Sequence, residues 1–336
     1  MKAMLRLGIC TLSLLGWPLA AYAVAASGTP VVDDRPVSLV FAGDTVLDAA
    51  AGDLVARGGD PFADFSTLFA NADIRIANLE CVVANIGSAN DKNYTFRAHP
   101  RTLPVLKRHF DALALANNHS GDFGREAFSE MLGLLKQSGL AYFGGGHNLS
   151  EAHTPLIIER RGLRIALLGY DEFMPRSFEA DYNAPGVAWS EDEQVVDDIR
   201  KARTVYHADI VIPVMHWGWE NESTANARQR QLARTMVDAG ADAVIGGHPH
   251  VTQDIEHYLG KPIVYSVGNF VMQETDNADQ RRGWVLRLQL DHSGVRSFDT
   301  RALRINLKGI PRRDTTAATP CWQRGQSAVS QCKPER

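Results

Sequence analysis

The chain has 336 residues, 45% of them hydrophobic and 22% charged, with a formal net charge of -4. That length allows one large domain with a sizeable core, and the composition is that of an ordinary globular protein. The mild negative charge argues against a nucleic-acid partner, which calls for a strong basic excess, but leaves an anionic substrate open, because a local positive site or a bound metal can dominate.

The first residues read as a targeting segment. Lys2 and Arg6 form a basic start, an apolar stretch runs from Leu7 to about Leu19, and Ala21-Tyr22-Ala23 supplies the small residues of a cleavage site. That layout predicts a secretory signal peptide over residues 1–23, and hence an exported protein, periplasmic or extracellular. An uncleaved anchor is the alternative reading, since Ala20 to Ala26 prolongs the apolar character. In an oxidising compartment, Cys321 and Cys332, close together in a polar tail, are expected to pair. Cys81 follows an apolar run and reads as a buried free thiol.

Residues 24–36 read as a linker. Val37 to Ala42 is a short apolar run that meets Gly43-Asp44, a buried strand reaching a turn. Ala72 to Leu79 predicts a second strand, ending at Glu80, and Ala112 to Ala116 a third, ending at Asn117-Asn118-His119. Arg125 to Ser138 has helical spacing and stops at Gly139. Arg164 to Tyr170 is another apolar run, and Glu191 to Tyr206 a charged amphipathic helix. Ile210 to Met215 predicts a strand ending at His216, Ala227 to Ala239 a helix closed by Gly240, and Ala243 to Ile245 a strand ending at Gly246-Gly247-His248. Ile263 to Val267 leads into Gly268-Asn269-Phe270, and the alternation from Arg287 to Leu307 predicts a late antiparallel pair. Strands alternating with helices imply parallel βαβ units, so the expected class is α/β, with one domain over 37–308 and a C-terminal extension over 309–336.

Asp44, Glu80, Asn118, His119, His216, His248 and His250 share one positional feature: each sits just after an apolar run. Ligands of open α/β sheets bind beyond the carboxyl ends of the strands, where residues distant in sequence can meet. A lone histidine or aspartate there is usually a structural group or a cap, but that reading must then hold independently at several strand ends. Imidazoles together with carboxylate and amide oxygens suit divalent transition ions, and a mixed set of this kind is what a two-metal hydrolytic centre uses. In Gly246-Gly247-His248-Pro249-His250, the glycines permit a tight loop beneath two histidines.

The ordered motifs Gly43-Asp44, Asn78-Leu79-Glu80, Ala116-Asn117-Asn118-His119, His216-Trp217-Gly218, Gly247-His248-Pro249-His250 and Tyr265-Ser266-Val267-Gly268-Asn269-Phe270 resemble those of the CapA-type poly-γ-glutamate capsule biosynthesis proteins. That family is related to the calcineurin-like metallophosphoesterases. The resemblance implies a four-layer αββα sandwich of metallophosphoesterase type. It further implies that Asp44, Glu80, Asn118, His216, His248 and His250 bind metal, with one or two Mn, Fe or Zn ions as cofactor, and that His119 is catalytic. The chain departs from the phosphoesterase pattern in two places: Thr45 and Val46 stand where that pattern continues Asp-x-His, and Glu80 stands in place of the bridging aspartate.

Two functions follow as expectations. One is metal-dependent hydrolysis of poly-γ-glutamate or a related envelope substrate. The other is a non-catalytic part in polymer assembly or export within a membrane polymer-synthesis complex, with a structural or vestigial metal site. Weaker features each carry two readings. Trp217, Trp219 and Glu220 wall a pocket or pack in the core. Glu256 orients a histidine or is a surface charge. Lys92, Arg97 and Arg101 meet a polyanion or lie on a solvated loop.

Overall fold

The computed structural model describes residues 35–333. The expected signal peptide and nearly all of the expected linker lie outside the described residues. In chain order the main elements are β1 (Val37–Thr45), α1 (Ala49–Ala56), β2 (Ile74–Leu79), α2 (Leu103–His109), β3 (Ala112–Ala114), α3 (Gly124–Gln137), β4 (Ala141–Phe143), β5 (Leu156–Arg160), β6 (Leu163–Asp171), α4 (Asp192–Thr204), β7 (Ile210–His216), α5 (Ala227–Ala239), β8 (Val244–Gly247), β9 (Ile255–Tyr258), β10 (Lys261–Val264), β11 (Asn269–Val271), β12 (Arg282–Asp291), β13 (Gly294–Ile305), β14 (Thr319–Gln323) and β15 (Ser330–Cys332).

Two sheets result. The first has ten strands along the order β15-β14-β13-β12-β1-β2-β3-β4, with β11 beside the end of β1 and Pro311–Arg313 beside β13. The second has six, in the order β9-β10-β8-β7-β6-β5. Strand alternation stacks them. Val37, Leu39 and Phe41 of β1, with Ile74 and Ile76 of β2, meet Ile165, Leu167, Ile210 and Ile212 of the second sheet in a buried layer. The intervening residues Val40 and Ala42 face the other way, toward α2 and α3, because side chains on a strand point to opposite faces in turn. On the far side of the second sheet, Ala166, Leu168, Val211 and Met215 pack against α4 and α5. The layers are therefore helix, sheet, sheet, helix.

The site is positioned by the ends of the parallel strands, and these run further than the apolar runs suggest. β1 continues through Asp44 because Asp44 still pairs with Asn78 on one side and Asn269 on the other, across an irregular register. Likewise β6 reaches Asp171 and β7 reaches His216, each opposite the other. Between the strands, α5 opens on a reciprocal cap between Asn226 and Gln229 and closes on Gly240 in the left-handed region.

The predicted late pair is the hairpin β12–β13. After Gly309 the chain returns to the first sheet, β14 pairing with β13 and β15 with β14. Cys321 and Cys332 form a disulfide there, with Cα atoms 5.7 Å apart, as expected. Cys81 is buried and free. Among the described residues no helix is long and apolar enough to cross a membrane.

Candidate metal centre and cleft

Five of the strand-end residues converge. Glu80, His216 and His248 offer ligand atoms within 4.8 Å of one another, and so do Asp44, Glu80 and His250. Glu80 is common to both sets. All five side chains are buried.

Asp44 is fixed first. Its Oδ1 accepts from Asn78 Nδ2 at 2.8 Å and its Oδ2 from the His248 main-chain amide at 3.0 Å. That amide approaches because Gly247 has no side chain: a Cβ there would stand 2.6 Å from Asp44 Oδ1. His248 and His250 hold φ values of 92° and 59°, a region that non-glycine residues occupy only when their surroundings impose it. Two such residues in one loop mark a conformation held for the sake of its side chains.

His216 Nε2 lies 3.3 Å from Glu80 Oε1, 3.1 Å from His248 Nδ1 and 2.8 Å from Asn118 Oδ1. His250 Nδ1 lies 2.9 Å from Asn269 Oδ1 and 3.5 Å from Asp44 Oδ2, and its Nε2 is 3.7 Å from Glu80 Oε1. Both carboxylate oxygens of Glu80 and the Nε2 of His248 are buried without a hydrogen-bond partner. Buried polar atoms are normally satisfied, and a buried carboxylate left bare is costly. The orphaned atoms belong to hard oxygen and imidazole donors, the chemistry that suits a divalent transition ion. The residues present therefore fit such a group.

The charge states of the metal-free site differ from group to group, and a histidine must be neutral to ligate a metal. Burial, with the fields of His216 and His250, holds His248 well below the usual histidine range, so its imidazole is neutral and its Nε2 lone pair is available. Burial pushes His250 down, but Glu80 and the hydrogen bond to Asp44 outweigh it and raise it to about 10. Burial likewise pushes Asp44 up, but hydrogen bonding to His250 and the charge on His216 leave it below the usual carboxylate range.

His119 stands apart from the two donor sets. Its Nδ1 lies 2.7 Å from Asp122 Oδ2, and its ring packs on Phe96 with centroids 4.4 Å apart. Asp122 is fully buried, takes the Phe96 amide at 2.7 Å and pairs with Lys92. With Nδ1 so engaged, His119 has Nε2 left for the cleft. Two cavities meet at His119, Tyr94 and Glu220: one of about 500 Å³ reaching Asn118, Asp171 and Trp189, and one of about 150 Å³ reaching His250 and Asn269.

Several expectations about neighbouring residues change. Trp217 does not wall the pocket; it is fully buried and donates Nε1–H to the Tyr265 carbonyl. Trp219 is 63% exposed. Glu256 orients no histidine; Arg234 and the Tyr265 hydroxyl hold it. Lys92 belongs to the His119 group, whereas Arg97 binds the Gly87 carbonyl and covers the Phe123 ring. Burial pushes the Cys81 thiol up to about 12, which removes it as a nucleophile.

Four residues of the site were given no role by the sequence reading: Asn78 and Asn269, which stand in the quoted motifs and anchor Asp44 and His250; Asp122, which holds His119; and Asp171, buried at the end of β6. The signal for Asp171 was available, because it is the polar residue directly after the apolar run that ends at Tyr170.

Residues 38–274 match the family described as "Bacterial capsule synthesis protein PGA_cap". Two relatives are similar over most of the chain. The "PGA biosynthesis protein CapA" of Bacillus subtilis (strain 168) is 36% identical over 72% of this chain and 64% of its own length. The "Capsule biosynthesis protein CapA" of Bacillus anthracis is 30% identical over 85% of this chain and 71% of its own. The match thus spans less than two thirds of the B. subtilis protein. Among solved structures, a hypothetical protein from Thermus thermophilus superposes with a TM-score of 0.53 at 15% identity, covering 80% of this chain and 99% of that one. The fold is the expected four-layer αββα sandwich.

Proposed function

Because the chain belongs to the bacterial capsule synthesis protein family, we propose that it serves poly-γ-glutamate biosynthesis outside the cytoplasm as a metal-dependent hydrolase, acting on that polymer or a related envelope substrate. One observation carries the reading: Glu80 presents two buried, unpartnered carboxylate oxygens between two sets of imidazole and carboxylate donors.

Asp44, Glu80 and His250 would hold one divalent ion, and Glu80, His216 and His248 a second, with the Asn118 amide oxygen beside His216. Such a group supplies Lewis acidity and a water-derived nucleophile at neutral pH. The chain's own residues do the rest. Asn78 and the His248 amide fix Asp44, and Asn269 fixes the His250 ring. Asp122 holds His119 so that its Nε2 can deliver a proton to the departing amine or alkoxide. Closely packed Phe96 and Phe173 screen the imidazoles of His119 and His248 from water.

Elemental analysis of the purified protein, followed by product detection on poly-γ-glutamate and on a panel of phosphoesters, tests the reading. Bound transition metal with turnover that depends on His119 supports it. Metal-loaded protein inert on every substrate, with His119→Ala silent in polymer assays, would leave an assembly role instead.

A further inference from the structure

The exposed rim of the cleft, away from the candidate metal donors, is a poor place for a dense polyanion. Asp91, Glu220 and Glu274 line its two cavities, and its two cations are engaged, Lys92 with Asp122 and Arg176 with Glu179 and Glu191. Like charges along a groove repel a carboxylate chain. If the substrate is polyanionic, its bulk must be held elsewhere.

A second cavity offers the opposite chemistry. It measures about 380 Å³ and lies on the helix-side face of the first sheet, between Thr67–Ala72 and the segment after Pro311–Arg313. Register places Arg287 opposite Val40 and Asp299 opposite Arg287, so these three share that face. Arg287, Arg301 and Arg313 line the cavity, and Asp314 is the one acidic residue of its wall. Arg287 and Arg301 both reach the carboxylate of Asp299, and Asp314 is taken by Arg304 and Thr316. Asp64 accepts the Arg313 main-chain amide, and the exposed Arg313 guanidinium makes no ion pair among the described residues. Three guanidinium groups against the carboxylates of Asp299 and Asp314 leave the cavity with a net positive charge, carried by Arg313, in a chain whose net charge is -4. Thr67, Asn71 and Thr315 add neutral polar groups.

We infer that this arginine cavity is a binding site for a carboxylate-rich anionic ligand, and that it holds the polymer away from the reaction cleft. Guanidinium groups suit the task because they remain charged and grip carboxylates through paired N–H donors. The second part of the inference rests on the polymer reading above; the first does not. A polymer anchored there reaches the cleft with one segment at a time, which reconciles an acidic rim with a polyanionic substrate.

Calorimetric titration of the full chain with two probes, a short γ-linked glutamate oligomer and citrate, tests it. Arg313→Glu is the informative variant, because that side chain is exposed and its loss leaves the fold intact; an unchanged thermal midpoint confirms this. Arg176→Gln, on the cleft, is the comparison. The expected result is that both probes bind, that Arg313→Glu weakens both by about 10–100-fold, and that Arg176→Gln weakens neither. Oligomer binding that ignores Arg313→Glu but falls with Arg176→Gln overturns the inference while leaving the proposed function standing. Binding of neither probe also overturns it. Citrate bound through Arg313 with no oligomer binding supports the anion site and counts against poly-γ-glutamate as the polymer.

Discussion

Asp122 Oδ2 stands 2.7 Å from His119 Nδ1, three residues back along the chain. Asp122 itself has no exposure; its Oδ2 also accepts the Phe96 amide, and Lys92 pairs with its Oδ1. A carboxylate so placed fixes both the orientation of the imidazole and the nitrogen that carries its proton. His119→Ala should therefore lower turnover by ~10²–10⁴-fold, the usual worth of a general acid. Because His119 lies in neither donor set, metal content should stay the same. Asp122→Asn should lower turnover by a smaller factor, again with metal retained. Steady-state kinetics alongside metal analysis of both variants checks this, and loss of metal from His119→Ala would refute the division of labour.

His248→Ala should act in the opposite way. It removes the imidazole whose Nε2 is buried and unpartnered, so metal occupancy should fall directly. A ligand that binds only the folded state stabilises it by mass action. Chelation should thus lower the thermal midpoint of the parent protein by more than that of His248→Ala, which keeps only the Asp44, Glu80 and His250 set. An equal response of the two proteins to chelator would show that His248 holds no metal.

The reach of the sequence differs from residue to residue for physical reasons. Asp44, Glu80, His216 and His248 were legible because a buried strand is an uninterrupted apolar run, so the polar residue that ends it marks the carboxyl edge of the sheet. The convergence of those edges follows from parallel pairing, which alternating strands and helices predict. Asp122 was not legible as a partner of His119. It lies in the turn Ser120-Gly121-Asp122-Phe123, where an aspartate is usually a turn residue. The His250–Asn269 contact depends on β11 lying beside β1, and spacing along the chain says nothing about that. Lys92 looked like one of three basic loop residues because its partner, Asp122, lies 30 positions on and wholly inside the protein.

Asp171 makes a prediction about pH. Burial raises its carboxyl to about 6, with the nearby charge of His216 opposing the rise. A carboxyl whose folded-state value lies above its unfolded one contributes stability below the unfolded value, near 3.9, and loses it as pH rises through the folded one. In the metal-free protein the ionised form is therefore destabilising above about pH 6. Asp171→Asn, which can still accept the Phe173 amide, should stabilise the metal-free protein at pH 8, by at most about 3 kcal/mol, and have little effect at pH 4. Denaturant titrations of chelated protein at the two pH values check it. A gain that is equal at both would mean the burial of Asp171 is not what sets its charge.

Thiol counting tests export and the disulfide together. Cys321 and Cys332 are joined across the β14–β15 pair, and Cys81 is buried with a thiol pushed up to about 12. The folded protein should therefore show no reactive thiol from these three. In denaturant without reductant, a chain cleaved after Ala23 should take up label at Cys81 alone, whereas a chain that keeps its first residues should also be labelled at Cys10. Intact mass distinguishes the two, because cleavage removes residues 1–23. Closing an 11-residue separation by a disulfide restricts the unfolded chain, and on the chain-entropy account that is worth roughly 2–3 kcal/mol. Cys321→Ser with Cys332→Ser should accordingly lower stability by about that amount. Metal content should not change, since β14 and β15 sit at the far edge of the first sheet from β1 and β2. Two alkylatable thiols in the tail of the purified protein would refute the disulfide, and a purified chain beginning at Met1 would refute cleavage.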